Sequence, residues 1–302
     1  MSNISQFNGS SNNRRIRYAL YGPAGPVLWT TPSTIEVNEV LVVCVGGGGA
    51  GGAGGLQGTY PAPPQPAVVA TGAGGGGGGS GAIVGYTYPV SAGTVISLTA
   101  GGTSGTSSAN NPGPAPIPIS ASGGSSGSAG ANGGPTNTGF SGGAAGAGGA
   151  ATIPAPALTG NSFSAAGVAG RPGANGRSFP TIANPGIAYS AWSATGGSGG
   201  AGGIHYSFMN MLGITYSLTT NNGARYEANA GTATSVPWGP TPGAPAGSMY
   251  VTPWLVHDQQ AGVTEVGVGG GGGAGGSWSQ SLNNPSAISA SSGSVGAVFI
   301  LY

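Results

Sequence analysis

From Val40 to Val45 the chain reads VLVVCV, an unbroken apolar run that follows the alternating stretch TIEVNE. Alternation suits a strand with one wet face, and a continuous branched run suits a strand covered on both. Two more apolar stretches, AIVGYTYPV from Ala82 and GTVISLTA from Gly93, meet at the turn-forming SAG and are predicted to form a hairpin. The segment GAVFILY ending at Tyr302 is a strand of branched and aromatic residues, and its expected partner is the strand at 40–45. ITYSL near Ile214, MYVTPWLV from Met249 and VTEVGV from Val263 carry weaker strand patterns. No segment repeats apolar residues at helical spacing. The expected fold class is all-β with little or no helix.

Between these strands lie runs of glycine: 67 of the 302 residues, roughly three times the usual share. Seven runs stand out. They are GGGGAGGAGG from Gly46, GAGGGGGGSG from Gly72, AGGTSG from Ala100, GGSSGSAGANGG from Gly123, SGGAAGAGGAA from Ser141, GGSGGAGG from Gly196 and GGGGGAGGS from Gly269. Their other residues fall three apart: Ala50 and Ala53; Ala144, Ala147 and Ala150; Ser198 and Ala201; Ala274 and Ser277. A polyproline II-type helix has three residues per turn, so these residues share one edge and leave two edges of bare glycine. Such a helix has no internal hydrogen bonds, and its backbone groups need outside partners. Helices packed side by side supply them, and glycine lets their backbones approach. The expectation is a strand framework plus stacked polyglycine II helices, with Gly46, Gly48, Gly51, Gly76, Gly199 and Gly271 as packing positions. GAGGGGGGSG departs from the period and fits a rod buried at the centre of the stack.

Gly46, Gly48 and Gly51 also satisfy G-x-G-x-x-G directly after a strand. The dinucleotide reading fails on context, because no helix-forming sequence follows and the next anion after Glu39 is Glu227. The two histidines, His205 and His257, and neighbouring Asp258 have no spacing that suits a metal or a catalytic relay. Cys44 is the one cysteine and sits in the apolar strand, as a small core residue does. With six arginines, no lysine and a formal net charge of +1, the chain lacks the footprint of a nucleic-acid binder. No signal sequence and no apolar run of membrane-spanning length is present. The expectation is a non-enzyme with no cofactor, no metal and no membrane insertion.

Segments 56–71, 103–121, 152–195 and 204–266 are rich in proline, serine, asparagine and aromatic residues. Tyr60, Phe163, Phe179, Tyr189, Trp192, Tyr206, Phe208, Trp238, Tyr250 and Trp254 lie in them. Aromatic loops on a rigid scaffold are a common arrangement for recognition, and uncharged rings suit neutral targets such as glycans. Tyr60, Tyr189, Trp192, Tyr206, Phe208, Trp238, Tyr250 and Trp254 are the candidate receptor-binding residues.

Glycine runs alternating with variable aromatic segments resemble the tip adhesins of T-even-type phage long tail fibres, over roughly residues 34–302. The resemblance implies a polyglycine II sandwich, located on the virion, whose end loops bind a bacterial surface glycan or outer-membrane protein. Those adhesins carry a sizeable N-terminal docking domain. Here residues 1–30 are expected to be an attachment arm, with Arg14, Arg15 and Arg17 contacting other virion proteins, and 31–302 to be one glycine-rich domain. Assembly as a homotrimer belongs to the same expectation. Two other classes fit the composition: a structural virion fibre or decoration subunit without receptor binding, and an ice-binding protein, since snow-flea antifreeze proteins also resemble polyglycine II bundles.

Overall fold

The computed structural model describes residues 16–56, 58–60, 68–70, 72–111, 116–133, 141–153, 162–175, 178–180, 193–194, 215–217, 248–250, 278–279, 290 and 292–302. Seventeen strands are present among them, and no helix. In order they are β1 (Ile16–Tyr21), β2 (Ala24–Thr30), β3 (Glu39–Val45), β4 (Gly58–Tyr60), β5 (Val68–Ala70), β6 (Ile83–Pro89), β7 (Val95–Ala100), β8 (Ser107–Asn111) and β9 (Ile117–Ala121). Then follow β10 (Ala151–Thr152), β11 (Ser162–Ala165), β12 (Ser178–Pro180), β13 (Ser193–Ala194), β14 (Thr215–Ser217), β15 (Ser248–Tyr250), β16 (Trp278–Ser279) and β17 (Ala297–Leu301).

Two five-stranded antiparallel sheets form the framework, one ordered β1-β17-β3-β6-β11 and the other β10-β9-β8-β7-β2. Their facing sides enclose one core. Val40, Val42, Cys44, Val84, Tyr88, Val298 and Ile300 come from the first sheet, and Ile96, Leu98, Ala109 and Ile119 from the second. The alternate residues of β3 and β17, among them Val43, Val45 and Phe299, point to the opposite face and are buried as well. The continuous apolar run is therefore a strand covered on both faces. β17 pairs with β3 as expected, Ala297 opposite Val45 and Leu301 opposite Leu41. Tyr88 is fully buried, and its hydroxyl donates to the carbonyl of Ile117 at 2.7 Å.

Two expectations need correction. The stretches around Ile83 and Val95 do not pair with each other: β6 lies between β3 and β11, and β7 between β2 and β8. Both strands have their edges filled, so the intervening turn crosses from one sheet to the other. Gly93 takes a left-handed φ of 78° there, and the Thr31 amide ties the turn down by donating to the Thr94 carbonyl at 2.9 Å. AGGTSG is likewise not a rod but the β7–β8 turn, closed by the Gly105 amide on the Gly102 carbonyl at 2.8 Å. Residues 16–30 supply a strand to each sheet. β1 pairs with β17, and β2 pairs with β7 around an irregularity between Ala24 and Val27.

Beyond the sheets, five glycine-containing segments are joined by backbone hydrogen bonds at every third residue. The amides of Gly46, Gly49, Gly52 and Gly55 donate to the carbonyls of Ala82, Gly79, Gly76 and Ala73, at 2.8–2.9 Å. Those of Ala73, Gly76, Gly79 and Ala82 donate in turn to Ala131, Ser128, Ser125 and Ser122. Gly124, Gly127, Gly130 and Gly133 donate back to Gly47, Ala50, Ala53 and Leu56. Segment 141–150 accepts from 122–131 and donates to Gly74, Gly77 and Ser80. A fifth segment, 166–175, places Gly167, Gly170 and Gly173 on the carbonyls of Gly149, Gly146 and Gly143. All residues from 72 to 82 are buried.

Candidate recognition surface

Chain connectivity separates the two ends of the glycine segments. At the near end, Gly46 follows β3, Ala82 precedes β6, Ser122 follows β9 and Ala150 precedes β10. At the far end lie Gly55, Ala73, Gly133, Ser141 and Asn175. Segments 57–71, 134–140 and the chain after Asn175 depart from this far end. Two asparagines finish it, supplying side-chain acceptors where the backbone partners run out. The Leu56 amide donates to Asn132 Oδ1 at 2.8 Å, and the Gly142 amide to Asn175 Oδ1 at 2.9 Å.

Close approach explains why these segments are glycine. A Cβ on Gly52 would lie 1.9 Å from the Ser128 carbonyl oxygen, and one on Gly76 would lie 2.0 Å from that of Ala144. The side chains that do occur follow the period. In 141–150 the residues Ala144, Ala147 and Ala150 are exposed, while Gly143, Gly146 and Gly149 are buried. Ala53 is exposed and Ala50 half-buried. The serines have a further role. Ser128 Oγ accepts from the Ala144 amide and Ser125 Oγ from the Ala147 amide, both at 2.7 Å, while the serine amides donate to the carbonyls of the same two alanines. Ser80 makes the same reciprocal pair with Val168.

Of the candidate receptor-binding residues, Tyr60 is placed in β4, opposite Val68. β4 joins β5 and β12 in a three-stranded sheet, reached from Leu56 through one residue and from Asn175 through two. Tyr250 is placed in β15, opposite Thr215 of β14. Tyr189, Trp192, Tyr206, Phe208, Trp238 and Trp254 lie outside the described residues, as do Arg14, Arg15, Gly199, Gly271, both histidines, Asp258 and the VTEVGV segment. Tyr60 and Tyr250 sit in different small sheets, and nothing described brings them together. Arg17 is exposed on β1, its guanidinium carbon 5.7 Å from the centre of the Tyr302 ring, which in turn lies 6.2 Å from Trp29.

Gly46 and Gly48 donate to the carbonyls of Ala82 and Ser294, so the amides that a pyrophosphate would use are engaged inside the fold. Gly51 is half-buried beside them. The Cys44 thiol is fully buried, and burial pushes it well above its usual range and away from the reactive thiolate. Burial likewise raises the Tyr88 hydroxyl, helped by neighbouring Cys44 and Tyr86. Among the described residues no cluster of histidine, cysteine and acidic side chains could hold a metal ion, and no helix is long and apolar enough to cross a membrane.

Sequence reasoning missed segment 166–175. Its signal was present: AAGVAGRPGAN has glycine at 167, 170 and 173, one per turn instead of two. No protein-family model matches this chain, and no curated protein does.

Proposed function

We propose that this protein is a phage virion receptor-binding protein, in which stacked polyglycine II helices carry aromatic loops to a bacterial surface. The observation that supports it most is the three-residue period of the bonds between glycine segments. Three residues per turn is the polyproline II repeat, and it aims successive amides of one rod at different neighbours. Such a stack makes a rigid base for segments 57–71, 134–140 and 176–290, which leave its far end or follow from it. Those segments hold Tyr60, Tyr189, Trp192, Tyr206, Phe208, Trp238, Tyr250 and Trp254, which suit the faces of sugars or the uncharged loops of an outer-membrane protein. Arg17, stacked on Tyr302, belongs to an attachment surface toward other virion proteins, with a homotrimer as the assembly. Binding of the purified chain to a panel of whole bacteria tests the reading. Trp192→Ala, Trp238→Ala or Trp254→Ala should weaken binding to a responsive strain about tenfold, close to 1.4 kcal/mol. Unchanged binding in all three folded variants overturns it.

One observation favours a second reading, ice binding. Thr99, Ser108, Ser120 and Thr152 stand in register across four strands, on the face of the second sheet opposite the core. Adjacent members are about 4.8 Å apart in such a ladder. Thermal hysteresis abolished by Ser108→Tyr would support this reading, and its absence in the native chain would remove it.

A further inference from the structure

Three serines in the glycine segments each bond one exposed residue of a neighbouring segment twice. The Ser128 amide donates to the Ala144 carbonyl at 2.9 Å, and the Ala144 amide donates to Ser128 Oγ at 2.7 Å. Ser125 holds Ala147 in the same way, at 2.9 and 2.7 Å. Ser80 holds Val168 at 2.9 and 2.8 Å. Ala144, Ala147 and Val168 are exposed, yet both backbone groups of each are turned back onto one serine. The interior follows a different pattern. Gly76 donates to Ser128 and accepts from Gly52, and Gly79 donates to Ser125 and accepts from Gly49, so each passes the network on to a further segment. A stack of polyglycine rods grows by that interior pattern, because a rod has no internal bonds and every outward group seeks another neighbour.

The outer rows are closed to near approach as well. A Cβ on Gly146, in the buried row of 141–150, would lie 2.0 Å from the Ser125 carbonyl oxygen, so rods in contact require glycine. The exposed row of that segment carries Ala144, Ala147 and Ala150 instead, and segment 166–175 exposes Arg171 and Pro172. Proline has no amide to donate, and charge and proline are what blunt the edge of a β-sheet.

We propose that Ser80, Ser125 and Ser128 are stop residues, which end the stack at segments 141–150 and 166–175 and keep a second copy of this chain from joining it rod to rod. This rests on the polyglycine II part of the proposed function and is independent of receptor binding. The serine amide keeps the bond that glycine would make at the same position, while the hydroxyl adds an acceptor for the donor that glycine would leave pointing outward. Outer rods with free donors would carry the hazard of an open sheet edge, a row of backbone groups with which a copy can pair. Assembly of copies therefore uses another surface.

Amide exchange of the native chain and sedimentation of a variant test this together. In the native chain the Ala144 and Ala147 amides should be protected about tenfold or more relative to the unfolded chain, although both residues are exposed. Fast exchange confined to these two overturns the stop alone, whereas fast exchange at Gly76 and Gly79 as well overturns the polyglycine reading beneath it. Combined Ser125→Gly, Ser128→Gly, Ala144→Gly and Ala147→Gly substitutions free the donors and remove the methyl groups. That variant should associate with rising concentration while Gly76 and Val42 still exchange slowly. A folded variant that sediments as the native chain does at every concentration overturns the proposal. If it unfolds, Ser125→Ala with Ser128→Ala decides: exchange at Ala144 and Ala147 should rise about tenfold with Gly76 unchanged, and no rise overturns the role given to the hydroxyls.

Discussion

The Gly55 amide donates to the Ala73 carbonyl at 2.8 Å in the register that pairs Val45 with Ile83. Between these points lie Gly46 on Ala82, Gly49 on Gly79 and Gly52 on Gly76, each step of three on one side matched by three on the other. The β3–β6 pair thus passes into the glycine segments without a slip. The strands fix the register by burying Val42, Cys44 and Val84. The glycine segments, with few side chains of their own to specify alignment, inherit it.

Gly52→Val should therefore abolish or strongly weaken folding. Its Cβ would sit 1.9 Å from the Ser128 carbonyl oxygen, a backbone atom that cannot swing aside. A loss of about 3 kcal/mol or more is expected, at the upper end for overpacking. Ala53→Ser, one position away but exposed, should stay within about 0.5 kcal/mol. Thermal unfolding of the two variants makes the comparison.

The serine pairs predict a ranking. Ser80 is buried, and Ser80→Ala leaves the Val168 amide without its acceptor, at a cost of about 1–3 kcal/mol. Ser128→Ala exposes the Ala144 amide where water can replace the hydroxyl, and should cost less, about 0.5–1 kcal/mol. Denaturant titration of both variants reads the order, and equal losses would contradict the role assigned to the hydroxyls.

These features were unequally legible in the sequence. The β3 core strand and its pairing with β17 could be read because six apolar residues in a row admit few other fates. β1 and β2 could not, because Pro23 and Pro26 read as breakers. Both fall where they are tolerated, one between the strands and one at the irregularity of an edge strand. The turn at Ser91–Gly93 was visible, but a hairpin and a crossing between sheets carry the same turn signal, and only the partners β3, β11, β2 and β8 decide between them. The period of three was visible wherever alanine or serine marked it. Of the candidate recognition residues, the structure places only the backbones of Tyr60 and Tyr250, since aromatic rings in proline- and serine-rich segments follow no period that fixes their neighbours.

Burial of Cys44 and Tyr88 sets a pH dependence. Both groups are raised in the folded state, so the unfolded chain releases their protons first. Stability is fully present below about pH 8.5, the ordinary thiol value, and declines above it. It declines further above about pH 10, where unfolded tyrosine ionises. Each group contributes at most about 1.4 kcal/mol per pH unit. Cys44→Ala should remove the first onset and keep the second, and a loss of stability on acidification from pH 8.5 to 7 would contradict the sign.

Arg17 should matter little to folding. It is exposed, and its contact with Tyr302 is worth about 0.5–1 kcal/mol. Arg17→Ala should unfold within that margin of the native chain in urea, while incorporation into virions falls if this edge is the attachment surface.

Glycine segments 46–55, 72–82, 122–133, 141–150 and 166–175 are held to one another by backbone hydrogen bonds, as linkers would not be. Amide hydrogen exchange at Gly76 and Gly79 tests it most directly, since both donate to the buried network, to Ser128 and Ser125. Exchange at both glycines is expected to be as slow as that of Val42 in the core strand, proceeding only through global unfolding. Exchange at Gly76 and Gly79 at the rate of an open glycine linker, with Val42 still protected, would contradict it.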